Sequence, residues 1–344
     1  MSPKVSVIII NAFNIDNLKE CLNSLKESNY PDFEVIVVDF STNNIREFIN
    51  SNFPNVRLIR LSGKDIGPSA MHNVGINNMH DESKYVAFLD DDTIVDKNWL
   101  SELIKCIEKS DKIGAVQSKI LMYGQKDILN TNGNKSNYLA VGWPNGYKNK
   151  DSKDDRFREI SFPSGAAMIL RKSALDEIGM FDEDYFIYAD DMDVGLRMRL
   201  AGYKIMYCPT SIVYHKYKFL RNKKGFYYLN RNRILTFLKL YQKWTYIILL
   251  PALALYEIFV ISYAMLHGFL GEVVKAYLYI IRNRKSIENK RNKIKTYKKV
   301  SDVELIRSLE GAIYFSEIMN PIVEYILNPF LEGYKNMILS FRSE

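Results

Sequence analysis

Short apolar runs alternate with helix-like patterns through the first 200 residues of the chain. The runs are rich in β-branched and aliphatic residues, which is typical of buried strands. These predicted strands cover residues 5–10, 34–39, 56–61 and 85–90. Asp39 and Asp90 each close one of these runs, so two acidic side chains stand where a strand ends.

Amphipathic patterns separate the predicted strands. Leu18, Cys21, Leu22 and Leu25 follow the spacing of one buried helix face. Further helices are predicted at residues 69–79 and 97–109. This alternation predicts an α/β fold, a mostly parallel sheet flanked by helices. In such sheets ligands bind beyond the carboxyl ends of the strands.

The segment 122–160 has a different composition. Asn, Lys, Asp and Gly dominate it, and Tyr138, Trp143 and Tyr147 interrupt the polar residues. We expect a mobile insertion loop that contacts the acceptor of a reaction. A solvated loop with incidental aromatic residues is the alternative.

An apolar stretch at residues 244–270 is about as long as a membrane helix requires. Glu257 near its middle would be costly against lipid. Residues 282–299 follow with nine Lys or Arg and one acid, a pattern typical of attachment to a cytoplasmic membrane surface. A soluble helical domain, or a contact between copies of the chain, would use the same apolar residues.

The overall composition fits a globular protein, with 47% hydrophobic residues and a net charge of +7. Three widely spaced cysteines show no disulfide or metal-binding pattern, which favours a reducing compartment. The first residues carry no signal-peptide pattern, so we expect a cytoplasmic catalytic part. Motifs for base stacking do not accompany the basic residues, so no nucleic-acid partner is expected.

Three consecutive acids follow the fourth predicted strand, in the sequence FLDDDT. Asp90, Asp91 and Asp92 would repel one another unless a cation neutralised them. Carboxylates and substrate phosphates are the usual ligands of Mg²⁺ and Mn²⁺. These residues therefore predict a metal site, with an ordinary acidic loop as the alternative.

A second acidic cluster opens the helical sequence DDMDVGLRMRLAGY. Asp190, Asp191 and Asp193 would suit the amino end of a helix, where one acid would suffice as a cap. A further carboxylate there could act as the general base for a hydroxyl nucleophile. Asp193 and Arg197 are four residues apart and are predicted to pair along the helix.

Asp39 and His215 are weaker candidates when each is taken alone. Asp39 ends a predicted strand and could accept hydrogen bonds from a nucleobase or ribose, or it could only form a turn. His215 follows the strand-like SIVYH. A single histidine is commonly structural, but near a carboxylate metal site it can complete the metal shell.

Taken in order, these segments resemble the inverting glycosyltransferases of family 2, which have the GT-A fold, and most closely the rhamnosyltransferase-like branch. The matching sequences lie within roughly residues 4–217: VSVIIINAFN, VIVVDFST, IGPSAMHNVGI, YVAFLDDDTIV, FPSGAAMILRKSALDEIGMFDE and FIYADDMDVGLRMRLAGYKIMYCPTSIVYH. The resemblance implies a Rossmann-like sheet that binds a nucleoside-diphosphate sugar.

The resemblance also implies roles for residues on the donor side. Asp39, with Asn11 of NAFN, would line the pocket for the donor base. Asp90 and Asp91 would lie beside the ribose and diphosphate. NAFN and VVDFST depart from the commoner sequences of the family, which leaves the identity of the base open.

For the reaction centre, the resemblance implies a divalent cation, Mn²⁺ or Mg²⁺, held by Asp92, Asp90 and His215. Asp191 matches the general base of the family. Asp190 stands where glutamate is commoner.

On the acceptor side the resemblance places Gly165 and Ala166, and we expect Trp143 there as well. The Gln-x-x-Arg-Trp motif of processive synthases is absent, and YYLNRNRIL stands in its place. Single transfer is therefore favoured over polymerisation.

The sequence thus predicts two regions. Residues 1–239 would form the GT-A catalytic domain, with a nucleotide-sugar half at 1–120 and an acceptor half at 121–239. Residues 240–344 would form a helical region attached to a membrane or joining copies of the chain. The predicted activity is transfer of one sugar to a hydroxyl of a lipid-linked or cell-surface glycan. A nucleotidyltransferase or a non-catalytic nucleotide- or carbohydrate-binding membrane protein are the alternatives.

Overall fold

The computed structural model describes residues 3–11, 14–41, 45–63, 65–154, 156–217 and 222–340. The chain forms two compact units. The first comprises Met1–Asn134, Pro144–Met198 and Tyr203–Lys218, and the second comprises Lys135–Trp143, Arg199–Gly202 and Phe219–Glu344.

Strands and helices alternate in the amino-terminal half of the first unit. They are β1 (Val5–Asn11), α1 (Ile15–Lys26), β2 (Phe33–Asp39), α2 (Arg46–Asn52), β3 (Val56–Arg60), α3 (Gly67–Ile76), β4 (Tyr85–Asp90), β5 (Thr93–Val95) and α4 (Trp99–Ile107). The four predicted strands and the helices near residues 18–25, 69–79 and 97–109 are confirmed.

The elements between residues 113 and 215 follow. They are β6 (Ile113–Met122), β7 (Gln125–Thr131), β8 (Asn134–Ser136), β9 (Gly142–Pro144), β10 (Arg158–Glu159), β11 (Ala167–Arg171), α5 (Lys172–Ile178), α6 (Asp190–Leu200) and β12 (Lys204–His215). A short 3₁₀ helix, Glu183–Tyr185, precedes α6.

The parallel half of the sheet has the order β3-β2-β1-β4. Asn11 of β1 pairs with Asp39 of β2, and Ile10 pairs with Asp90 of β4. The carboxyl ends of the three strands therefore meet at one edge, as the α/β pattern predicts. The other half is mixed, because β11 runs antiparallel to both β4 and β6 while β12 runs parallel to β6.

The core explains why these segments fold as they do. In α1, Leu18, Cys21, Leu22 and Leu25 are all buried, which confirms the predicted stripe. Ile9 and the other central β-strand side chains are also inaccessible to solvent. Burial on both faces accounts for the continuous apolar character of the strands.

The prediction of a mobile loop at residues 122–160 is wrong. This segment contains β7, β8, β9 and β10. Tyr138, Trp143 and Tyr147, for which the sequence predicts acceptor contacts or incidental exposure, are 0%, 2% and 5% exposed. Their apolar surface is buried within the protein, which orders a chain whose composition alone favours solvation.

The second unit is helical. Its elements are α7 (Lys223–Leu240), α8 (Lys243–His267), α9 (Leu270–Arg282), α10 (Arg284–Tyr297), α11 (Asp302–Ser308), a π-helical turn (Val323–Leu327) and α12 (Asn328–Ser340). The helix α7 belongs to this unit, whereas the sequence placed the start of the helical region at residue 240.

The second unit also includes chain from before residue 200. The hydroxyl of Tyr138 donates to the carbonyl of Leu331 at 3.0 Å, and the hydroxyl of Tyr241 donates to the carbonyl of Tyr138 at 2.9 Å. The aromatic side chain of Tyr138 is therefore part of the interior of the helical unit.

Candidate active site

Asp90, Asp92 and His215 converge at the carboxyl edge of the sheet. Their candidate ligand atoms lie within 4.8 Å of one another. His215 Nε2 lies 3.0 Å from Asp92 Oδ1 and 3.8 Å from Asp90 Oδ2. The strands produce this convergence, because β5 pairs antiparallel with the end of β12 and sets His215 opposite Thr93.

The other ring nitrogen of His215 has a partner that the sequence did not indicate. Nδ1 lies 3.2 Å from Asn130 Oδ1, on β7. If this contact is an Nδ1–H donating to the amide oxygen, Nε2 is left facing the two carboxylates. Such an outer contact is how metal-binding histidines are commonly oriented. Two carboxylates and an oriented imidazole form a donor set that fits Mn²⁺ or Mg²⁺.

The pKa values of the three consecutive aspartates shift in different directions. Burial raises the pKa of Asp90, and burial with the charges of Asp92 and Asp90 raises the pKa of Asp91 to about 8. Burial would also raise the pKa of Asp92, but the hydrogen bond and charge of His215 outweigh it and lower that pKa. Concentrated negative charge of this kind is compatible with a bound cation.

Asp191 lies at the start of α6 and is held by two backbone amides. Its Oδ2 accepts from Gly165 N–H at 3.0 Å, and its Oδ1 accepts from Met192 N–H at 2.7 Å. Burial and the charge of Asp190 raise the pKa of Asp191 to about 7, and the two amides oppose this rise. The charge of Asp90 contributes to the same increase, so the two acidic clusters are electrostatically linked.

Asp190 has separate contacts on α3. Its Oδ2 accepts from Ser69 Oγ at 3.2 Å and lies 3.6 Å from His72 Nδ1. The His72 ring is 5% exposed and packs against Phe88 and Phe181. The sequence singled out neither Ser69 nor His72, because neither lies in an acidic motif.

The chain reaches these two aspartates through an unusual backbone. Phe186, Tyr188 and Ala189 have φ values of 62°, 67° and 61°, a region that residues other than glycine rarely adopt. Ser69 holds this segment, because its N–H and its Oγ both donate to the Phe186 carbonyl at 3.2 Å. Strained conformations of this kind concentrate at functional sites.

The Asp39 carboxylate is completely buried at the end of β2. Its Oδ1 accepts from Asn11 Nδ2 at 2.6 Å and from Ser41 N–H at 3.2 Å, and Arg60 Nε lies 3.2 Å from Oδ2. Among the described residues, Asp39 Oδ2 and Asn11 Oδ1 accept no hydrogen bond. Asn11 Oδ1 is thus a buried acceptor without a donor, and Asp39 Oδ2 has only its ion pair with Arg60, so hydrogen-bond donors from a ligand would satisfy both atoms.

The residues expected on the acceptor side have different positions. Gly165 contacts Asp191 directly through its amide, and the Ala166 carbonyl accepts from Asp90 N–H at 3.3 Å. Trp143 is buried within the second unit. Its role in acceptor binding stays a prediction.

The predicted pair between Asp193 and Arg197 is confirmed. Asp193 Oδ2 lies 2.8 Å from Arg197 Nε, and both side chains are buried. Tyr185 Oη also donates to Asp193, while Arg197 donates to the carbonyls of Ile178, Gly179 and Met180. Asp193 therefore anchors α6, and its contacts are structural.

We expect Asp193→Ala to lower the free energy of unfolding by about 3–5 kcal/mol, because it leaves a buried guanidinium without its counter-ion. Urea denaturation followed by circular dichroism measures this. Asp176→Ala is the matched control, since Asp176 and Lys172 form an exposed pair with the same spacing at 2.8 Å. The control should cost less than about 1 kcal/mol, and equal losses would show that burial of the first pair is unimportant.

Comparison with known proteins gives a family, sequence relatives and structural neighbours. Residues 6–179 match the profile described as "Glycosyl transferase family 2". The chain is 28% identical over 199 residues to the O-antigen chain rhamnosyltransferase WbaN of Salmonella anatum, covering 56% of this chain and 59% of that protein. It is 34% identical over 73 residues to the N-acetylglucosaminyl-diphospho-decaprenol L-rhamnosyltransferase of Mycobacterium tuberculosis, covering 21% of this chain and 24% of that protein.

Among solved structures, the mannosyltransferase PcManGT of Pyrobaculum calidifontis, in complex with GDP-Man and Mn²⁺, superposes with a TM-score of 0.51 at 14% identity. The match covers 86% of each chain. At this identity the likeness shows a shared fold.

Proposed function

Because the chain belongs to glycosyltransferase family 2, we propose that it transfers one sugar from a nucleoside-diphosphate sugar to a hydroxyl group of a glycan or lipid-linked acceptor. The observation that carries the proposal is that the first unit contains both a cation-binding group and a candidate general base. Asp90, Asp92 and His215 form a cation-binding set, and Asp191 is a partly buried carboxylate with a pKa raised to about 7. Membership of the family supports the class of reaction, and the geometry supports the choice of residues.

The donor side consists of buried oxygen atoms of Asp39 and Asn11 and of the three cation-binding residues. Asp39 Oδ2 and Asn11 Oδ1 would accept hydrogen bonds from the base or ribose of the nucleotide. Asp92, Asp90 and His215 would hold Mn²⁺ or Mg²⁺. A cation bound there supplies Lewis-acid stabilisation of the nucleoside diphosphate as negative charge develops on it.

The acceptor side depends on Asp191. This carboxylate takes the proton of the attacking hydroxyl while the hydroxyl oxygen bonds to the anomeric carbon and the bond to the diphosphate breaks. One displacement inverts the anomeric configuration. The amides of Gly165 and Met192 fix the carboxylate, which reduces the loss of orientation entropy in the transition state.

A donor screen tests the proposal directly. With Mn²⁺ present, UDP, GDP, dTDP and CMP would be compared by thermal shift, and the matching nucleotide sugars would then be assayed for slow donor hydrolysis. We expect one nucleoside diphosphate to stabilise the protein, by about 2.7 kcal/mol at 100 times its Kd. Absence of both stabilisation and sugar release for every donor would refute the glycosyltransferase proposal.

The apolar surface of the second unit supports the proposal that the enzyme binds a membrane. Among the described residues one helix, α8, has the length and composition to cross a membrane. Its most apolar 18-residue stretch has a mean hydropathy of 2.1, and 17% of that stretch is buried. Trp244, Ile247, Ile258 and Met265 are 55–76% exposed and recur at helical spacing along it. An exposed apolar stripe of this length is typical of a surface that binds lipid or another protein.

The opposite side of α8 faces protein. Glu257, the residue expected to be costly in lipid, pairs with Arg233 of α7 and accepts from the Tyr277 hydroxyl of α9. A helix whose central carboxylate is paired with protein can place its exposed apolar side chains against the apolar part of a membrane surface. We therefore infer that α8 lies along the cytoplasmic leaflet, next to the basic α10.

Lipid attachment is tested by flotation with zwitterionic vesicles. We expect the full-length protein to float, and Ile247→Glu with Ile258→Glu to weaken binding about tenfold or more, because the charges enter the apolar stripe. Asn289→Glu with Asn292→Glu, at exposed positions of α10, adds the same charge outside the stripe and should bind normally. A protein that never floats but forms a stable dimer in solution would show that a second copy covers α8.

A further inference from the structure

The second unit contains an open groove of about 580 Å³ between α7 and α9. Its lining is strongly basic, with Lys223 and Lys224 from the start of α7 and Lys275 and Arg282 from α9. Glu272 is its single lining carboxylate, and it pairs with Lys275 at 3.0 Å. Four cations against one carboxylate leave an excess of three positive charges.

Two of these cations are available for a ligand. Over the part of the chain that the structure describes, neither Lys223 nor Arg282 forms an ion pair, and both side chains are exposed. Cations gathered in one groove repel one another, so their accumulation is favourable when an anion binds among them. The groove therefore fits a polyanionic group.

Three tyrosine rings of the groove contact one buried arginine. Tyr227, Tyr228 and Tyr279 line it, and the guanidinium of the buried Arg231 lies 5.4, 4.7 and 4.6 Å from their ring centres. These cation–π contacts order the three rings around one side chain. The lining is thus organised before a ligand arrives.

One border of the groove is apolar. Leu278 lines the groove, and Val274 and Ile281 lie one turn to either side of it on α9, with exposures of 41%, 49% and 60%. A soluble anion gains nothing from this stripe. A phosphate carried on a hydrocarbon chain would use both features, with its head among the cations and its chain along α9.

We propose that this groove binds the diphosphate head of a polyprenyl-type lipid. This proposal rests on the proposed glycosyltransferase function, because such a lipid would carry the acceptor glycan. A diphosphate matches the three excess charges better than a phosphodiester, which carries one negative charge. Charge-assisted hydrogen bonds from lysine, arginine and tyrosine are suited to its oxygens.

The test uses the full-length protein and neutral phosphatidylcholine vesicles that contain a few per cent of a long-chain polyprenyl diphosphate. We expect binding to these vesicles to exceed binding to vesicles with phosphatidylglycerol at equal total charge. Lys223→Ala with Arg282→Ala should reduce by about tenfold or more the increase in binding that the diphosphate lipid adds over phosphatidylcholine alone. Lys293→Ala with Lys295→Ala removes the same charge from exposed positions of α10 and should change this binding less than about threefold.

Three results would overturn the proposal. Equal losses in both double variants would show general attraction to an anionic surface. Equal binding to phosphatidylglycerol would show a site for bulk lipid, and tight binding of inorganic diphosphate at the same residues would show a site for a soluble anion. Donor hydrolysis is measured on the same preparations, so a failure of the groove is distinguished from a failure of the glycosyltransferase proposal.

Discussion

Asp191→Asn is expected to reduce kcat by about 10²–10⁴-fold while the affinity for the donor nucleotide stays near that of the parent protein. The amide cannot take the proton of the acceptor hydroxyl. It can still accept one of the two backbone hydrogen bonds, from Gly165 or Met192, so the start of α6 should stay in place. Steady-state transfer kinetics and calorimetric titration of the nucleoside diphosphate separate the two quantities.

The neighbouring aspartate supplies the decisive comparison. Asp190 already contacts Ser69 and lies near His72, which leaves it less suited to receive a proton from substrate. We expect Asp190→Asn to retain more activity than Asp191→Asn. The reverse order would transfer the role of base to Asp190.

Asp191→Asn should not lower the free energy of unfolding, although it lowers activity. The pKa of Asp191 is raised from 3.8 to about 7, so the folded state binds this proton more tightly than the unfolded state. The ionised side chain therefore opposes folding increasingly as pH rises from about 4 to about 7, and the cost is complete above that range. At pH 8 the Asn variant should be at least as stable as the parent protein by urea denaturation, so a large loss of stability would point to misfolding instead of a lost base.

The amino-terminal sheet was predictable because each segment has a single periodicity. Strands β1 and β2 are buried on both faces and are continuously apolar, while α1 buries four residues at 3.6-residue spacing. A short apolar run can also be a buried helix segment, but the length and the β-branched residues of these two runs favour strands. The ordered strands at residues 125–144 were not predictable, because the buried Tyr138 contacts Tyr241 and Leu331, which are far away in the sequence.

The acidic motifs of the site were visible in the sequence, and their supporting contacts were not. Asp90 and Asp92 stand in one motif, His215 was a weaker candidate when taken alone, and the resemblance to a family grouped the three residues. Asn130, which contacts the His215 ring, lies on a strand inside the segment that the composition predicts to be a loop. Contacts of this kind arise from strand pairing and leave no local pattern in the chain.

The buried contacts of Tyr138 also bear on how the membrane region can be studied. The predicted domain boundary at residue 239 suggests truncation after Lys239 as a way to obtain the catalytic domain alone. Such a cut would remove Tyr241 and Leu331, both hydrogen-bonded to the buried Tyr138. A buried aromatic exposed in this way costs several kcal/mol, which is why substitutions on the surface of α8 are the better test.

Asp92→Asn is expected to weaken metal-dependent nucleotide binding by at least about 100-fold, because a neutral amide is a poor ligand for a hard cation. The substitution also removes the carboxylate that lies 3.0 Å from His215 Nε2. The fold should persist, since Asp92 is half-buried and β5 is held by its pairing with β12. Calorimetric titration of each nucleoside diphosphate with and without Mn²⁺ measures the effect.

Asp96→Asn is the matched control for this substitution. Asp96 lies just beyond β5, outside the cation-binding set, and accepts a hydrogen bond from Asn98 N–H at 2.9 Å that an amide oxygen can replace. It removes the same charge from the same stretch of chain. If Mn²⁺-dependent binding falls equally in both variants, the loss reflects the total negative charge, and Asp92 is not a ligand. If binding falls in Asp92→Asn alone and is unchanged without Mn²⁺, the cation is held where Asp90, Asp92 and His215 meet.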